Sequence, residues 1–160
     1  QGWTVAKALL GYERVWIGSP ALAGKALALG EHLVQQLGLE DDRGVMDELA
    51  QLQADLHDYR LLYSRTCDAI ADSGKAPGPE VSMLKVYASE LLHRLTEFNV
   101  EIGAEYGAVV GDVEIGGVST ADMQADLYWQ LMMARPVTIF AGANEIQRDI
   151  LAKTVLGLQA

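Results

Sequence analysis

Three stretches of roughly 25 to 30 residues carry apolar side chains at steps of three and four, a period that commits the chain to long amphipathic helices. The first runs from about Thr4 to Leu37, with Val5, Leu9, Tyr12 and Trp16 in register. Gly18-Ser19-Pro20 interrupts it, and the proline, lacking an N–H and clashing with the preceding turn, predicts a kink. Gly38 to Gly44 reads as a turn whose acidic run, Glu40-Asp41-Asp42, suits the positive end of the next helix. That second helix spans about Val45 to Asp72, striped by Met46, Leu49, Leu52, Leu56, Tyr59, Tyr63 and Ile70. Ser73 to Pro79 is a loop, with Pro79 placed at a first helical position. The third helix, Glu80 to about Glu105, opposes an apolar face (Met83, Tyr87, Leu91, Leu95, Phe98, Ile102) to Lys85, Glu90, Arg94 and Glu97.

Beyond it, Gly103 to Gly117 is glycine-rich and irregular. Ser119 with Asp122 resembles a capping box, which predicts a shorter fourth helix to about Ala134, closed by Pro136. Asn144 with Gln147 repeats the pattern ahead of Ile146, Ile150 and Leu151, a short fifth helix. No segment reads as a convincing strand. The expectation is one all-α domain over residues 1–160, an up-and-down bundle of four or five helices, the longest about 40 Å at 1.5 Å per residue.

Twelve basic against 22 acidic residues give a formal charge of −10. Such a surface repels nucleic acid and anionic lipid, and a nucleotide's phosphates would be gripped mostly from elsewhere. No run approaches the ~18 apolar residues of a membrane span, so no membrane insertion is expected. Cys67 is the only cysteine, which fits a reducing compartment and a cytoplasmic location. His32, His57 and His93 are dispersed without metal-ligand spacing, and no metal is expected. The chain opens on Gln1 with no charged-then-apolar leader, so it is expected to be processed or cut from something longer, the cut being favoured.

Three segments extend the reading. GWTVAKALLGYERV, LKVYASELLHRLTEFNVEIGAEYG and IFAGANEIQRDILAKTVLGL, in this order and spacing, resemble the C-terminal helical domain of acyl-CoA dehydrogenases. The last, a glycine turn feeding an Asn-Glu-Ile-Gln-Arg helix, is the most specific. The resemblance implies a longer subunit with an N-terminal helical and a middle β-domain, FAD held between domains and across a subunit contact, and homo- or hetero-oligomers. It implies α,β-dehydrogenation of an acyl-CoA substrate to the trans-2-enoyl-CoA: a carboxylate removes the α-proton and the β-hydrogen leaves as hydride to the flavin. The isolated domain is expected to be inactive, because one domain cannot pre-organise a site built from several.

An α-C–H beside a thioester is a weak acid, so its base is best a carboxylate shielded from bulk water, with donors fixed in advance for the enolate oxygen. Many family members carry a glutamate just before the signature glycine; this chain has Ala141 before Gly142. Others use the Glu of a Glu-Arg pair on the first helix, here Glu13 and Arg14. Glu13 is therefore the candidate base; the alternative is an exposed glutamate ion-paired to Lys7 or Arg14. Ala141 could still serve through its backbone N–H, or be a plain helix lead-in. The resemblance sets Gly142, Ala143, Asn144 and Glu145 against FAD, although Ala143 lacks the family's usual hydroxyl and Asn144 could act only as a helix cap. It sets Glu101, Ala104, Tyr106 and Gly107 against the FAD of a neighbouring subunit, although GAEYG replaces a glycine pair and a simple helix exit would explain them. The family's Arg-x-x-Phe-Gly element is missing between the first two helices. Arg135 matches a basic position ahead of the signature. Trp3, Trp16 and Trp129 are expected in a core or a domain contact. A second functional reading, a non-catalytic partner subunit supplying helix contacts and part of a shared FAD site, stays open.

Overall fold

The computed structural model describes residues 2–104, 107, 114–115, 118–119 and 127–158. The fold is all-α as expected, with helices α1 (Gly2–Ile17), α2 (Ala21–Gln36), α3 (Arg43–Ser73), α4 (Ser82–Gly103), α5 (Leu127–Ala134) and α6 (Asn144–Ile150). The kink expected at Gly18-Ser19-Pro20 is a full break between α1 and α2. Two-residue strands β1 (Glu114–Ile115) and β2 (Val118–Ser119) pair antiparallel, Glu114 opposite Ser119. Ser119 thus lies in a strand, not at a helix cap as predicted, and the fourth predicted helix starts only at Leu127; Asp122 lies outside the described residues.

The chain divides into two compact units: one of Gln1–Pro20, His57–Glu90 and Val137–Ala160, the other of Ala21–Leu56 and Leu91–Pro136. In the second unit Leu33 and Leu127 form a buried pair, packed by Leu29, Leu37, Val100 and Ile102. Asn99 donates from Nδ2 to the Ala26 carbonyl (2.9 Å). Asp42 bears out the acidic run: its Oδ1 accepts from the Gly44 and Val45 amides at 2.9 and 3.2 Å, capping α3.

The first unit is organised by Tyr59, fully buried and stacked on Tyr87 at 4.8 Å between ring centroids. Its hydroxyl lies against the Gly18 carbonyl and, at 2.9 Å, the Leu84 carbonyl. The phenol thereby fixes the end of α1 against α4. A Cβ at Gly18 would stand 2.9 Å from the Leu84 Cβ, so only glycine allows that approach. A 3-10 turn, Pro79–Val81, leads into α4 with the proline at its start, as expected.

The α1 stripe does not enter the core. Val5 and Leu9 are each 68% exposed and Trp16 is 78% exposed. Trp129 is also exposed, so neither it nor Trp16 is a core residue of this chain; the Trp3 side chain lies outside the described residues. Among the described residues no helix is long and apolar enough to cross a membrane.

Burial, with Tyr63 next, pushes the Tyr59 phenol far above its ordinary 10.0. Below pH 10 it is protonated in both folded and unfolded chains; above that, only the unfolded chain ionises, so stability falls as pH rises. Tyr59→Phe is expected to cost about 1–3 kcal/mol at neutral pH and to make the alkaline decline shallower, as read by urea unfolding between pH 8 and 11. An unchanged midpoint at neutral pH would contradict this role.

Candidate functional site

The signature segment leaves a 3-10 turn (Arg135–Thr138) and reaches α6 through a tight bend. Two consecutive residues in that bend are left-handed, Ala141 at φ 55° and Gly142 at φ 94°. Glycine takes this conformation freely; alanine does so at a cost of roughly 1–3 kcal/mol, and it persists only where surroundings enforce it. Gln147 contacts the two residues directly, and Lys85 with Asn144 fixes the segment on either side.

Gln147, fully buried on α6, reaches back with Nε2 to the carbonyls of Ala141 and Gly142, each at 3.3 Å. Its backbone N–H bonds the Ala143 carbonyl at 3.0 Å. Ala143 is the helix cap, and it makes no side-chain bond. The cap expected of Asn144 is therefore corrected: Asn144 is the first helical residue and its side chain turns inward. There its Oδ1 accepts from Lys85 Nζ at 2.5 Å, and its Nδ2 donates to Ser89 Oγ at 2.9 Å and to Glu90 Oε1 at 3.3 Å. Any contact Asn144 makes with a cofactor is then through its backbone.

Lys85 is the residue that sequence reasoning misread. Placed on the polar face of its helix, it is fully buried, its ammonium also donating to the Thr138 carbonyl at 2.8 Å. Burial lowers its pKa, opposed by Glu145 and Glu90, whose charges favour the ammonium. A signal was present: Ser82, Lys85 and Ser89, all buried, recur at steps of three and four as a polar stripe of their own. Glu90 is in turn paired to Arg148. Among the described residues no group of three or more His, Cys, Asp or Glu is arranged to hold a metal.

Glu13 and Arg14 lie on α1, in the same compact unit as the signature bend. Glu13 is exposed, and among the described residues it makes no ion pair; the Lys7 side chain lies outside them. Arg14 Nε is buried and has no hydrogen-bond partner among the described residues. The other candidates belong to the second unit. Glu101 is exposed, Ala104 is left-handed at φ 44° where α4 ends, and a Cβ at Gly107 would stand 2.5 Å from the Val100 carbonyl. Tyr106 lies outside the described residues. Arg135, also in this unit, pairs with Glu97 at 2.7 Å.

The bend fits a flavin approached through backbone. Ala141, Gly142 and Ala143 carry nothing beyond Cβ, and Gly142 is exposed, so a planar group can come close to the chain here. Ala143 supplies no hydroxyl to it.

A family model described as "Acyl-CoA dehydrogenase, C-terminal domain" matches residues 1–156. A curated relative, acyl-CoA dehydrogenase IpdE1 of Mycolicibacterium smegmatis, is 29% identical over 164 aligned positions, covering 98% of this chain and 37% of the relative. The chain thus spans under two fifths of that relative's length. Among solved structures, the "Tcur3481-Tcur3483 steroid ACAD" superposes with a TM-score of 0.79 at 23% identity, over 99% of this chain and 40% of that one. The ChsE4-ChsE5 complex from Mycobacterium tuberculosis gives 0.77 at 24% identity, over 100% and 42%. At these identities the structures speak for the fold alone.

Lys85→Met removes the donor to Thr138 and Asn144 while relieving a buried charge. The net cost is expected to be about 1–3 kcal/mol, with faster amide hydrogen exchange across residues 138–144. Exchange as slow as in the unsubstituted protein would show that Lys85 does not hold the bend.

Proposed function

The chain belongs to the acyl-CoA dehydrogenase family through its C-terminal domain, and from that premise we propose that it forms the helical wall of a flavin-dependent site that oxidises an acyl-CoA thioester to the trans-2-enoyl-CoA. Glu13 is the base of this reading. The position before the signature glycine is Ala141, which cannot accept a proton, whereas Glu13 is an exposed carboxylate in the same compact unit as the bend and makes no ion pair among the described residues. That pairing of an absent signature carboxylate with an available one on α1 is the observation that carries the proposal. Closure of the site by further domains of a longer subunit would shield Glu13 from water and fit it to abstract an α-proton.

In this reading Arg14, the next residue along α1, belongs to the same site as the base. In this reading the Ala141 amide would donate to the thioester oxygen as negative charge develops there. Gly142, Ala143 and the backbone of Asn144 and Glu145 would lie along the flavin, with Glu101, Ala104, Tyr106 and Gly107 serving a neighbouring subunit's cofactor. FAD, when bound, supplies the hydride acceptor. The uncovered Val5, Leu9, Tyr12 and Trp16 on α1 support partner surfaces, whether other domains of the same subunit or another subunit.

A second reading rests on the same Ala141: the chain is the catalytically silent member of an unlike pair, lending helix contacts and part of a shared FAD site. In the full-length protein, Glu13→Gln is expected to abolish turnover of acyl-CoA while leaving flavin bound, seen as unchanged visible absorbance beside lost enoyl-CoA formation. Retained turnover would remove Glu13 as the base. Flavin-free, inactive wild-type protein rescued by co-expression with an unlike dehydrogenase chain would favour the second reading.

A further inference from the structure

We infer that Gln147 is a positioning residue: its carboxamide holds the Ala141–Gly142 turn left-handed, so that the turn's backbone meets the acyl thioester in one geometry. The inference rests on the site reading above for what the turn contacts, and on the structure alone for how the turn is held.

Left to itself, a turn with alanine at φ 55° would relax to a right-handed or extended form. The ends of the segment are fixed by Lys85, which holds the Thr138 carbonyl before the turn and the Asn144 side chain after it. Neither bond touches the two left-handed residues. Gln147 does: one amide nitrogen donates to both of their carbonyls, so flipping either peptide breaks a bond. The fit is close, since a Cβ on Gly142 would stand 2.5 Å from Gln147 Nε2. The amide therefore lies directly under the glycine, and glycine is required for both its conformation and its bare α-carbon.

The other half of the carboxamide supplies a second, independent argument. Gln147 Oε1 is buried and has no hydrogen-bond partner among the described residues. A buried amide oxygen that no protein donor reaches is destabilising, and methionine would fill the same space without it. Packing alone therefore gives no reason for glutamine at 147. Its donation to the two turn carbonyls does.

The test uses the full-length protein, comparing Gln147→Met, which keeps the volume, and Gln147→Asn, which keeps the amide but is one methylene too short to span both carbonyls. Two measurements are made: amide hydrogen exchange over residues 139–143, and kcat and KM for acyl-CoA. Exchange is expected to quicken roughly tenfold or more in both variants. A turn free to move misplaces its donor, so kcat should fall roughly 10- to 100-fold while KM stays within about threefold; a general loss of folding would move neither in that pattern. Adding Ala141→Gly to Gln147→Met, which removes the left-handed penalty, should recover part of the exchange protection. Exchange unchanged in both variants overturns the inference, and so does a kcat loss equal in size to a rise in KM. A wild-type protein without turnover would sink the site reading instead, and the exchange comparison would still decide whether Gln147 holds the turn.

Discussion

A single ammonium group buried between a helix and a bend organises the signature end of this chain. Lys85 gives up water to bond one backbone carbonyl and one asparagine oxygen, and a charge placed there is tolerable only if those two oxygens stay where they are. The constraint runs outward. Asn144, claimed by Lys85, Ser89 and Glu90, cannot cap its own helix, so Ala143 stands at the cap without a side-chain bond. With α6 fixed at its first residue, Gln147 arrives under the bend, and the bend can keep two left-handed residues in succession. The short backbone stretch that family resemblance sets against a flavin is thus shaped from beneath by side chains that never reach it.

The architecture was legible where period alone decides it. Leu49, Leu52, Leu56 and Tyr59 on α3, and Leu91, Leu95 and Phe98 on α4, are buried as their spacing requires. Period did not say which side of α1 would be covered. Val5, Leu9, Tyr12 and Trp16 form as regular a stripe as any, yet they are exposed, because a stripe records that a face is apolar and not what it meets. Lys85 was harder to read for a related reason: a lysine between Leu84 and Val86 is assigned to water by default, and although Ser82 and Ser89 mark a polar stripe with it, its bonds to residues more than fifty positions later are what bury it. Ser119 misled because a serine three residues before an aspartate is as compatible with a strand end as with a cap.

The candidate residues sort themselves between the two compact units. The proton chemistry attributed to Glu13, Arg14 and Ala141 falls with the signature bend in one, and the helix exit at Glu101, Ala104 and Gly107 falls in the other. In the second unit, packing accounts for much of what is seen: Gly103 is pressed by Leu127 and Gly107 by Val100. Each unit also holds a left-handed alanine, Ala141 in the first and Ala104 in the second, and a buried amide oxygen without a hydrogen-bond partner among the described residues, of Gln147 and of Asn99. What sets the first unit apart is that it holds both the signature bend and Glu13.

Whether this chain belongs to a competent site is decided most directly by mixing the purified full-length protein with a series of acyl-CoA thioesters in the absence of oxygen and following its visible absorbance. A site with Glu13 as its carboxylate and the Ala141–Gly142 turn beside it predicts an oxidised-flavin spectrum that bleaches with at least one thioester, with enoyl-CoA recovered in equal amount. A flavin that stays oxidised across the series, in protein shown to bind acyl-CoA, would contradict it.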